Sequence, residues 1–88
     1  MKIPTRDEFN KMYAERRARV AQCMKQNGIG AAIFIDSEEK RDSAVRYLSG
    51  HINDAVLVVF DDAYSVLVPW DEIMAKRYAF ADKVVPYT

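Results

Sequence analysis

Eighty-eight residues, half of them hydrophobic and 30% charged, allow one small globular domain and no more. Thirteen basic residues balance thirteen acidic ones, which argues against a strong nonspecific grip on nucleic acid or on an anionic membrane. A single cysteine excludes an intrachain disulfide and fits a reducing cytoplasm. The first eight residues lack the apolar core of a signal peptide, and the longest apolar run, Ala55–Phe60, is too short to span a bilayer.

In chain order, Thr5 and Glu8 make a capping-box pattern, so a helix is expected to start there. Spacings of three, four and seven put Phe9, Met12, Tyr13, Val20, Cys23 and Met24 on its apolar face. Lys11, Glu15, Arg17, Arg19 and Gln22 fall opposite, and Gly28 supplies the stop. The continuous apolar run 31–35 predicts a strand buried on both faces. Ser37 is the expected cap of a second helix that reaches Leu48 and ends at Gly50, with its charged first turns, Glu38 to Asp42, in solvent. Ala55–Phe60 and 64–68 predict two more buried strands, joined by a hairpin through Asp61, Asp62 and Ala63. Pro69 closes the second of these, because it cannot donate to a ladder. Asp71 caps a third helix over 72–80, and residues 83–87 read as a fourth strand with Pro86 near its end.

The order α-β-α-β-β-α-β predicts an α/β layered domain whose mixed β-sheet is flanked by helices, with one hairpin pair plus parallel neighbours. The chain stops directly after the last strand, so the domain is expected to be incomplete at its C-terminus. An exposed final strand and a thin core predict self-association.

Residues suited to chemistry are sparse. One histidine and no His-Glu-x-x-His pattern fall short of a hydrolytic metal site. Adjacent Asp61 and Asp62 read as turn residues, and Cys23, on an apolar helix face, as a buried inert thiol. Gly28 and Gly30 precede a strand, whereas a dinucleotide fingerprint follows one. Lys11, Arg16, Arg17, Arg19 and Lys25 are interleaved with Asp7, Glu8 and Glu15, and no aromatic residues alternate with them; they read as a solvated helix face rather than a nucleic-acid patch. Trp70 and Tyr78 are expected to pack in the core or at a helix start. His51 stands beside Gly50 and ahead of Asn53 and Asp54, in a loop at a strand mouth where ligand contacts gather. Taken alone it reads as a surface histidine.

A wider pattern joins these pieces. Arg16 to Arg19, Val20, Met24, Asn27-Gly28-Ile29 and the run 31–35 resemble the opening of the creatinase/prolidase amino-terminal domain. Arg46-Tyr47-Leu48-Ser49-Gly50-His51 is similar to that domain's Tyr-Leu-(Thr/Ser)-Gly signature. Asn53-Asp54, Ala55–Phe60, 64–68, Pro69-Trp70-Asp71-Glu72, Ala75, Ala79, Asp82 and Val84-Val85-Pro86-Tyr87 follow in the family's order. The resemblance covers nearly the whole chain, and its specificity lies in the order and spacing of motifs that are individually weak.

The resemblance implies a creatinase N-terminal-like fold with a ribonuclease-H-like motif. In the family this domain precedes a pita-bread domain, which holds two divalent metal ions (Mn, Co or Zn) and hydrolyses bonds next to proline, as Xaa-Pro dipeptidases and aminopeptidase P do, or acts on related substrates such as creatine. The metal ligands lie in that second domain and have no counterpart in residues 1–88. The resemblance therefore implies no catalytic residue, metal or cofactor in this chain, and a cytoplasmic peptidase parent. It implies homo-oligomer contacts and a loop, His51, Ile52, Asn53 and Asp54, that lines the neighbouring subunit's pocket for a proline-containing peptide. In that role His51 or Asn53 bonds a substrate terminus and Ile52 gives apolar contact. The chain departs from the pattern at Ala44, where asparagine is common, and at Asp62-Ala63, where a glycine-containing turn is usual. The competing expectation is a stand-alone, non-catalytic module that binds peptides or proteins.

Overall fold

The computed structural model describes residues 3–86. The first helix, α1 (Arg6–Gln26), begins at its expected cap. Thr5 Oγ1 accepts the Glu8 N–H at 3.2 Å, and its hydroxyl lies 3.3 Å from Glu8 Oε1, so the reciprocal bond joins the two side chains. Gly28, at φ 70°, redirects the chain into strand β1 (Ala31–Asp36). Then come α2 (Ser43–Ser49), β2 (Ala55–Phe60), β3 (Ser65–Pro69), α3 (Glu72–Tyr78) and β4 (Lys83–Val84). Tyr87, assigned to the last strand from sequence, lies outside the described residues.

The four strands form one sheet in the order β1-β2-β3-β4. β1 pairs antiparallel with β2, β2 antiparallel with β3, and β3 parallel with β4. The sheet is mixed, as expected, but among the described residues its one parallel pair is β3 with the two-residue last strand. β1 is antiparallel because α2 and its flanking loops leave and return at the same end, which sets Asp36 opposite Ala55.

The core sits between the sheet and the helices. It consists of Met24 from α1, Val45 and Leu48 from α2, Ala55, Leu57, Val59 and Leu67 from the strands, and Ala75 and Ala79 from α3 and its end. These strand residues alternate, so they occupy one face of the sheet. On the opposite face Ile33 is 65% and Ile35 59% exposed. The expected burial on both faces therefore holds on one side only.

Local competition explains the other departures. Ser37 does not cap α2; its Oγ accepts the Lys40 N–H at 3.1 Å and closes a turn. The charged stretch after it has no apolar face to dock, and the helix waits for Asp42, whose Oδ1 accepts the Ala44 N–H at 2.9 Å. The buried line of α1 runs through Arg17, Ala21 and Met24, a spacing of four and three, which rotates Cys23 into solvent. Arg17, expected on the solvated face, is buried at 4% exposure. α3 ends at Tyr78 rather than Phe80: Ala79 is extended, and Phe80 turns back to stack on Tyr13 with ring centroids 5.0 Å apart. α3 docks through the small side chains of Ala75 and Ala79, which leaves Tyr78 at 59% and Trp70 at 71% exposure, both outside the core. In the β2–β3 turn, Asp62 Oδ1 accepts the Tyr64 N–H at 2.9 Å, and Ala63 takes φ 72°, a conformation glycine normally supplies.

Candidate functional site

One end of the sheet gathers the last residue of β1, the first of β2 and the segment after β3. Gly50 delivers the chain there. It ends α2 at φ 76° with its N–H on Arg46 O at 2.8 Å. A Cβ on Gly50 would stand 3.0 Å from the Tyr13 ring, so the glycine answers both to backbone conformation and to close packing.

The following residue, His51, is not at the surface: it is 1% exposed. Its N–H donates to Ser49 Oγ at 3.3 Å, and that hydroxyl donates to Val45 O at 2.6 Å. Both ring nitrogens are buried without a hydrogen-bond partner among the described residues. Burial holds the imidazole pKa below its ordinary value, opposed by the negative charges of Asp71 and Asp36. A neutral, desolvated ring beneath the loop is the result.

In the rest of the loop one open residue is followed by two that are held. Ile52 is 55% exposed. Asn53 Nδ2 lies 3.0 Å from Met74 Sδ, which ties the loop to α3. Asp54 Oδ1 stands 3.0 Å from Arg41 Nη1, and the same nitrogen is 3.5 Å from Asp36 Oδ2. Asp36 Oδ1 in turn accepts the Asp42 N–H at 2.9 Å, and Asp54 O accepts the Trp70 N–H at 2.9 Å.

Two concavities flank this loop. One, of about 360 Å³, is lined by Gly50, His51, Ile52, Met74 and Tyr78. The other, of about 300 Å³, lies among Ile35, Asp36, Asp54, Val56, Val68 and Trp70. Each offers apolar walls with a few polar groups at the rim, the composition of a binding surface. Among the described residues no group of three or more His, Cys, Asp and Glu side chains is arranged to hold a metal.

Sequence reasoning singled out the loop but not what fastens it. Arg41 is one charge in a run of charges, and nothing in its spacing marks it as the partner of Asp36 and Asp54. The signal for Met74 and Trp70 was weaker still, because both contacts cross from one segment to another. Comparison with protein-family models, with curated proteins and with solved structures finds no match. Among the described residues no helix is long and apolar enough to cross a membrane.

Proposed function

We propose that this chain is the non-catalytic amino-terminal domain of an Xaa-Pro-type metallopeptidase, contributing subunit contacts and one wall of a neighbouring subunit's pocket for a proline-containing peptide. The reading rests on the order of motifs around Tyr47-Leu48-Ser49-Gly50, and the single structural observation that supports it is the form of the loop that follows. Ile52 stands open directly before Asn53, held on Met74, and Asp54, held on Arg41. A wall needs such a presented side chain on a fixed backbone, since ordering a loose loop would cost binding energy.

In this reading Ile52 packs against the proline ring and Asn53 offers its amide oxygen at the rim. Buried His51 supports the loop from beneath instead of bonding the substrate terminus. In this reading the divalent ions, Mn, Co or Zn, belong to the second domain.

Two measurements test the proposal. The purified 88-residue chain, supplied with Mn, Co or Zn, is expected to show no hydrolysis of Xaa-Pro dipeptides; chelator-sensitive hydrolysis would overturn the non-catalytic assignment. Titration with an Xaa-Pro dipeptide should shift the amide resonances of residues 51–54, and I52D should abolish the shift. Equal shifts with peptides lacking proline would favour the stand-alone binding module instead.

A further inference from the structure

Register places Ala31, Ile33 and Ile35 of β1 on the same side as Phe60, Val58 and Val56 of β2, and the latter two beside Val66 and Val68 of β3. Tyr64 and Trp70 continue that side at the two ends of β3. The face is therefore apolar across three strands, and Lys83, opposite Val66 on the short edge strand, is its first charge. An antiparallel sheet that meets water on one side ordinarily alternates apolar and polar residues. This one does not: it is apolar on the side away from the helices as well.

The exposed area is large. Ile33 is 65% exposed, Ile35 59%, Phe60 37%, Tyr64 43% and Trp70 71%. At roughly 200 Å² for each large side chain, these five alone present about 550 Å², before the half-buried valines between them are added. That matches the largest patches monomers leave in water. It also approaches the roughly 800 Å² per partner of a standard interface.

We propose that a second copy of this chain covers this face, the two sheets packing face to face about a twofold axis. Two observations favour a copy over an unrelated partner. A twofold contact opposes each residue to the same surface, and the rows Ala31-Ile33-Ile35, Val56-Val58-Phe60 and Val66-Val68 carry no charge to repel their own image, while Asp36 and Asp54 at the rim are ion-paired with Arg41. Aligned sheets about 10 Å apart interlock through side chains of the β-branched and aromatic kind this face presents. The groove of about 300 Å³ among Ile35, Asp36, Asp54, Val56, Val68 and Trp70 lies at the rim and gives the copy's side chains a place to insert. The inference deepens the subunit-contact part of the proposed function by naming the surface, yet it rests on that surface and survives if the peptidase reading fails.

Sedimentation and light scattering of the 88-residue chain test it. The expected mass is twice the 10.1 kDa of one chain. I33K and I35K should return it to one, whereas I73K, on the 76% exposed Ile73 of α3, should not. Trp70 is the only tryptophan, so dilution of the wild type should red-shift its emission as the pair dissociates. If a lysine variant unfolds, isotope-filtered NOEs between Val58 and Val66 methyls of differently labelled copies replace it as the decisive reading. A one-chain mass at every concentration, a pair unaffected by both lysines, an open series of larger assemblies, or absent intermolecular NOEs would each overturn the proposal. None of these results would bear on the peptide titration as read at residues 51–53, which do not line this groove.

Discussion

His51 shows how much a single side chain depends on its surroundings. Both ring nitrogens are buried and unpartnered, and its pKa is depressed, with Asp71 and Asp36 as the charged groups acting against the burial. The unfolded chain therefore takes up a proton more readily than the folded one as pH falls. The stability tied to this group is complete above the ordinary histidine pKa of about 6.5 and is lost as pH drops below it. The urea midpoint is expected to fall as pH drops below about 6.5, before the carboxylates titrate. H51L should flatten that slope and leave stability near pH 7 within about 1 kcal/mol of wild type, since it fills similar volume and removes two unsatisfied polar atoms. A slope unchanged in H51L would show that another group carries the acid response. The sequence located this histidine in the loop but not beneath it, because burial of a loop residue is decided by what packs over it.

At the scale of elements, punctuation was legible wherever a side chain acts on its own backbone. Thr5, Asp71, Gly28 and Gly50 all do what local chemistry predicts. The second helix was misplaced because Ser37 and Asp42 are both competent caps, and Asp36 decides between them by receiving the Asp42 N–H. The two helix-ending glycines separate backbone from packing. Gly28 at φ 70° has open space where a Cβ would go, while Gly50 at φ 76° faces the Tyr13 ring. G28A should cost about 1 kcal/mol, from the left-handed backbone alone. G50A should cost more, at least about 2 kcal/mol, because the stacked Tyr13 and Phe80 rings must also move. Equal losses in chemical denaturation would mean that the Tyr13 contact yields freely.

Over the whole molecule, Arg17 is the joint between distant segments. Its Nη1 donates to Leu48 O at 2.9 Å and to Phe80 O at 2.7 Å, linking α1 to the end of α2 and to the chain after α3. Burial lowers its pKa, Asp82 opposes that, and the guanidinium stays charged. Asp82 Oδ2 accepts from Ser65 N–H and Oγ at 2.7 and 2.9 Å, which extends the link to β3. R17M keeps the apolar stem but orphans one buried and one part-buried carbonyl, and should cost about 2 kcal/mol by urea denaturation; a loss below about 1 kcal/mol would show that solvent reaches both. The sequence alone determined the seven elements, most of their ends and the apolar strands, because caps, turns and periodicity act over a few residues. Only the tertiary structure decided which strand neighbours are parallel, that Arg17 and His51 are buried, that Arg41 clamps the loop, and that the helices gather on one face of the sheet. Those outcomes depend on contacts between residues far apart in the chain, and no short-range pattern records which apolar surface meets which.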